Sequence, residues 1–163
     1  MRIIFTRAKA WYKVGSKVIA ESEKREYSHV ALVHIDETTG IKLVYQASLG
    51  IVNCYNYELF LDNNIIVEEY LLDLNNDELL HILRFLHENL GKPYSTVQII
   101  LLSIKKLLKL QVNYRNSDNA FICSELVIRV LQILKPDLFV EEVDYKTPSD
   151  LNKIINELNI PKC

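Results

Sequence analysis

The feature that most constrains this chain is a change of period just before residue 75. From residue 28 to residue 72, β-branched and aromatic residues come in short runs: SHVALVHID (28–36), IKLVYQAS (41–48), GIVNCYNY (50–57) and NIIVEEYLL (64–72). Runs of that texture, bounded by polar turn residues, read as strands. ETTG (37–40) predicts a hairpin between the first two, and RIIFT (2–6) is a further short strand. From residue 75 the spacing turns helical. NNDELLHILRFLHENLG (75–91) sets Leu79, Leu80, Leu83, Leu86 and Leu90 on a helical repeat, with an acidic start and a Gly stop. PYSTVQIILLSIKKLLKLQV (93–112) and NSDNAFICSELVIRVLQILKP (116–136) predict two more helices. TPSDLNKIINEL (147–158) predicts another, with Thr147 as N-cap, Pro148 at the first helical position and Asp150 closing a capping box. Residues 8–24 carry mixed helical spacing that Gly15 weakens. Consecutive strands joined by short turns pair antiparallel. Strands first and helices second predict an α+β fold: a mostly antiparallel sheet from the first half, packed against helices of the second.

A chain of 163 residues fits one domain, 1–163. A formal net charge of −2 argues against nucleic acid as the partner, because phosphate binding needs an excess of Lys and Arg on one face. The three cysteines, Cys54, Cys123 and Cys163, form no CxxC pair, so neither a zinc knuckle nor a disulfide scaffold is expected. No metal or organic cofactor is implied. The opening MRIIFTRAKAW has too short an apolar run for a signal peptide, and no run approaches the ~18 apolar residues of a membrane span. The expectation is a soluble, cytoplasmic protein.

FICSELV (121–127) raises a question of chemistry. Cysteine packs readily as a small buried hydrophobe. Cys123 shares a helical face with Leu126, Val127, Val130 and Leu134, which suits that account. The other account makes it a nucleophile. The polar stretch NSDNA (116–120) offers N-cap candidates that place Cys123 in or near a first turn. Unpaired N–H groups and the positive dipole end favour a thiolate there, and the same N–H groups can serve an oxyanion.

A nucleophile needs a base. His81 and His87 lie six apart on the leucine-rich helix, and a solvated helix face accounts for them. His29 and His34 lie five apart on one strand, so they point to opposite faces of the sheet. Either is equally well a satisfied structural histidine. A cysteine on a helix start with a histidine on a strand is the arrangement of a Cys–His hydrolase.

The ordered set YSHVALV (27–33), VYQAS (44–48), LGKPYS (90–95), FICSELV (121–127) and TPSDL (147–151) resembles the circularly permuted branch of the NlpC-type papain-fold hydrolases. The similarity is greatest to the YiiX/YebB-like group, with lecithin–retinol acyltransferase-like proteins as more distant relatives. The resemblance implies a permuted papain-like fold with Cys123 as nucleophile and His29 as general base. It implies Gln46 as the polar residue that orients the imidazole. YiiX-like members usually carry a carboxylate there, so Gln46 departs from the pattern. An amide still accepts the imidazole N–H, as in Cys–His–Asn sites, but stabilises an imidazolium less. Tyr94 matches the tyrosine of the Gly-x-Pro-Tyr motif and would line the substrate pocket. Packing against a helix accounts for it equally well. Glu125, two residues past Cys123, is expected to pair within the scaffold.

The stretch 97–112 mixes Val, Ile and Leu with Lys105, Lys106 and Lys109. A packed helix with lysines near its C-terminal end accounts for it, and peripheral contact with a membrane or an acyl chain is the alternative. The resemblance therefore implies a cysteine hydrolase acting on an amide of a peptide or peptidoglycan stem, or on a lipid acyl group. Small domains of this kind occur among phage-associated proteins. Two other readings stand beside it: a lipid acyltransferase, and a papain-like binding module that no longer catalyses.

Overall fold

A computed structural model describes residues 1–9, 27–48, 50–93, 122–138 and 146–163. Among them five strands form one antiparallel sheet. They are β1 (Arg2–Ala8), β2 (His29–Ile35), β3 (Lys42–Ser48), β4 (Ile51–Asn56) and β5 (Asn64–Leu71), in the order β4-β3-β2-β1-β5. Four helices accompany them: α1 (Tyr57–Asn63), α2 (Asn76–Glu88), α3 (Cys123–Leu134) and α4 (Pro148–Glu157). The architecture is α+β, as the change of period predicts. Ala8, where the mixed helical spacing of 8–24 begins, closes β1, and the rest of that stretch beyond Lys9, like the helix predicted over 93–112 beyond Pro93, lies outside the described residues.

Apolar layers cover both faces of the sheet, so the inner strands read as nearly continuous apolar runs. Alternation sorts their side chains. Ile3, Phe5, Val30, Leu32, Tyr45 and Ala47 join α2, α3 and α4 in the larger cluster. Ile4, Ala31, Val33 and Val44 join Phe60 of α1 in the smaller one. The β2–β3 turn closes on Asp36, whose carboxylate accepts from the Thr38 and Thr39 amides. Gly40 follows at φ 69°, a left-handed conformation that glycine adopts without Cβ strain.

α1 interrupts what the sequence left between two strands. Asn56 caps it, its side chain accepting from the Glu58 and Leu59 amides, and Phe60 anchors it. α2 opens on a reciprocal capping box between Asn75 and Glu78. α4 opens on the expected one between Thr147 and Asp150. The outer edge of β5 is covered by the last residues, where Leu71 N donates to Pro161 O and Cys163 N to Glu69 O, both at 2.9 Å. Such cover blunts an otherwise open strand edge. No helix among the described residues is long and apolar enough to cross a membrane.

Candidate functional site

His29 is the first residue of β2 and Gln46 lies in β3, the neighbouring strand. His29 Nε2 and Gln46 Oε1 are 2.8 Å apart. An amide oxygen only accepts, so Nε2 carries the hydrogen and donates it. Nδ1 of the neutral ring is then left with a lone pair, which is the form a general base requires. Gln46 is buried and His29 half-buried. Both fall in step with residues of the smaller cluster, Ala31 and Val33 on β2 and Val44 on β3. The imidazole centroid stands 6.5 Å from that of Phe60. Burial pushes the imidazole below its ordinary pKa, and the Gln46 bond opposes this in part.

Cys123 is the first residue of α3. Its N-cap is Ile122, which makes no side-chain cap bond. This corrects the expectation that a polar residue of 116–120 caps the helix. The helix starts later, and its position is set by packing: Leu126, Val127, Val130 and Leu131 sink into the larger cluster. Each such side chain contributes about 1.5–3 kcal/mol when fully buried, more than a cap contributes. Ser124, fully buried, donates its hydroxyl to Lys146 O and ties the start of α3 to the segment leading into α4. Glu125 pairs with Arg129 one turn on, at 3.6 Å, as its position suggested.

Cys123 is 7% exposed and lies in the larger cluster. Burial pushes its pKa up, while the backbone N–H groups of Val30, Ser124 and Cys123 itself pull it down. Val30 follows His29 on β2, so the thiol meets β2 next to the histidine. No hydrogen bond joins His29 to Cys123 among the described residues. The structure thus brings His29 and Gln46 together in a bond, in step with the smaller cluster, and sets Cys123 in the larger cluster against the adjacent Val30 peptide, with thiol and imidazole both neutral at rest. Tyr94 lies outside the described residues.

Two functional-looking contacts escaped the sequence. Tyr45 Oη and His87 Nε2 are 3.0 Å apart, so His87, exposed on its helix face as expected, also serves as the partner of a buried tyrosine hydroxyl. Tyr45 pairs with Cys54 across β3 and β4, and burial raises its phenol to about 12. The signal available was Tyr45 itself, since a buried tyrosine hydroxyl needs a partner. Among the described residues no group of three or more His, Cys, Asp or Glu side chains is placed to hold a metal ion.

No family model matches the chain, and no curated protein matches it. Among solved structures, the fold is similar to that of the metalloprotein yiiX from Escherichia coli O157:H7. The two are 20% identical with a TM-score of 0.58, over 98% of this chain and 83% of that one. At that identity the likeness concerns the fold alone, and the protein has a YiiX-like fold.

Proposed function

We propose that the protein is a cysteine hydrolase of permuted papain-like fold, with Cys123 as nucleophile, His29 as general base and Gln46 orienting the imidazole. The observation that carries the proposal is the His29–Gln46 bond, which fixes the tautomer whose Nδ1 can take a proton. The start of α3 supports it, because backbone N–H groups there already act on the Cys123 sulfur. The chain order supports the permuted arrangement, since the histidine strand precedes the cysteine helix.

In the reaction, Nδ1 takes the thiol proton as sulfur attacks the substrate carbonyl. The tetrahedral oxyanion forms beside the backbone N–H groups at the α3 start. Nδ1–H then protonates the leaving amine or alkoxide, giving a thioester on Cys123. Water, deprotonated by Nδ1, hydrolyses the thioester and regenerates the thiol. Transfer of the proton requires thiol and imidazole to come within about 2.6–3.2 Å or to share one water. Catalytic hydrogen bonds that are long without substrate commonly tighten in the complex.

The substrate is proposed to be an amide of a peptide or peptidoglycan stem, with lipid acyl groups as the alternative class. The fold neighbour is described as a metalloprotein. The described residues of this chain offer no matching donor set, so no step is derived through a metal. One observation favours a second reading, a scaffold that binds without catalysing: the resting structure has no bond between His29 and Cys123.

The test is acylation by an activated ester such as p-nitrophenyl acetate, followed by intact-mass and peptide mapping. The hydrolase reading predicts an acyl adduct on Cys123 that turns over in wild type and is absent in Cys123→Ala. No adduct at Cys123 in folded protein would leave the binding scaffold. Muropeptides and phospholipid vesicles, offered in parallel, distinguish the amide from the lipid substrate.

A further inference from the structure

The β2–β3 ladder stops short of the site. Its last pair at that end is Leu32 with Tyr45, although β2 begins at His29 and β3 runs on to Ser48. Near the turn, Asp36 N donates to Ile41 O at 2.9 Å. Strand amides alternate in direction, so those of His34, Leu32 and Val30 point toward β3 as that of Asp36 does. The Val30 amide therefore faces β3 beyond the last rung. Val30 is fully buried, and a buried amide needs an acceptor. The acceptor is the Cys123 sulfur. The His29–Gln46 bond runs from β2 to β3 at the same end of the sheet. The thiol, carried by α3 in the larger cluster, and the imidazole, in step with the smaller one, thus flank the single peptide that joins His29 to Val30.

We infer that the Val30 backbone N–H is a catalytic donor, the group from β2 that holds the Cys123 sulfur while negative charge develops on it. The inference rests on the Cys–His reading of the site, and it adds a donor from a second element to the amides at the start of α3. In the step concerned the S–H bond breaks, its proton passes to His29 Nδ1 and the electron pair stays on sulfur. A hydrogen bond to a charged acceptor is stronger than one to a neutral acceptor, so the Val30 bond tightens as the thiolate forms. That difference favours the charged form, against the desolvation that keeps a buried thiol protonated. Gln46 is neutral, so more of the stabilisation of the thiolate–imidazolium pair falls to donors on the sulfur. A main-chain donor in a sheet is already in place and costs no reorganisation during the reaction. One peptide carries the base at one end and the donor at the other, so the register of β2 sets both at once.

The experiment follows the Val30 amide proton by NMR against pH in His29→Ala, where the thiol ionises without the base, and again with Cys123→Ala added. The amide signal should move downfield over the pH range in which iodoacetamide begins to alkylate Cys123, and should stay still once Cys123 is gone. An amide that does not respond while Cys123 reacts, or a Cys123 that never ionises in the folded chain, would overturn the inference. A second measurement deletes the donor alone. Nonsense suppression replaces Val30 with its α-hydroxy acid, which keeps the side chain and puts an ester oxygen in place of the N–H. The alkylation rate of Cys123 at a fixed pH below its midpoint should fall roughly tenfold or more, the scale of one hydrogen bond to a charged group. The same replacement at Val33, whose amide faces β1, should leave that rate unchanged. An equal fall at both positions would make the Val30 effect one of strand structure and overturn the inference. Acylation of wild type separates the two readings. A Val30 response with no acyl adduct ever forming removes the hydrolase and keeps the donor. Adduct formation with no Val30 response does the reverse.

Discussion

Replacing Gln46 with leucine removes the acceptor and keeps the volume. The His29 Nε2–H then loses its 2.8 Å partner in a place where Gln46 itself is only 6% exposed. A buried donor left unpaired costs about 1–3 kcal/mol, more than the net worth of the bond. For a chain of 163 residues each kcal/mol lowers Tm by about 2–4 °C, so Gln46→Leu should melt about 2–12 °C below wild type. His29→Phe leaves the Gln46 amide unpaired and should cost a similar amount. The double variant places two apolar groups side by side, which is nearly neutral. Urea denaturation of all four proteins closes the cycle. With the double variant near neutral, the expected coupling is the sum of the two single costs, about 2–6 kcal/mol. Effects that add to within about 0.3–0.5 kcal/mol would mean the two side chains do not interact, and the tautomer argument would fall with them.

Three further outcomes follow from the same structure. Thr147→Ala removes the N-cap of α4, whose hydroxyl accepts from the Asp150 amide and donates to its carboxylate, and should cost about 1 kcal/mol in urea denaturation. Glu68 is pushed up by burial, but bonds from Lys162, Tyr70 and Asn152 outweigh this and hold it below its ordinary pKa. Its contribution is full above ~4.3 and is lost as pH falls through the lower folded value, so Glu68→Gln should flatten the acid limb of a stability–pH curve. His29 is depressed and Cys123 raised. The unfolded chain therefore binds more protons than the native one just below pH ~6.5 and fewer just above ~8.5, and stability should decline on both sides of that window, less steeply on the acid side in His29→Phe.

The sheet was legible because its signals are local and repeated. β2 and β3 flank a turn whose Asp36 and Gly40 are themselves turn residues, and inner strands announce themselves by runs such as HVALV. α4 was legible to the residue, since Thr147, Pro148 and Asp150 state the cap in the sequence. α1 was not. It has only seven residues, too few for a helical repeat to stand out, and its one marker is Asn56 before Tyr57–Glu58. The start of α3 misled for a different reason. Polar residues at 116–120 advertise a cap, but tertiary packing of Leu126, Val127 and Leu131 sets where the helix begins. The His29–Gln46 bond was expected only through family likeness, because a contact between two strands leaves no trace in spacing.

The central claim is that His29 deprotonates Cys123, and the rate of iodoacetamide alkylation at Cys123 against pH tests it most directly, read by peptide mass spectrometry in wild type and His29→Ala. The base form of His29 is present above its depressed pKa. The account therefore predicts that folded wild type begins to react at or below pH ~6.5, while His29→Ala waits for the thiol's own ionisation above ~8.5. Equal profiles in the two proteins, or a Cys123 that stays inert until the chain unfolds, would contradict it and make FICSELV a stretch of core.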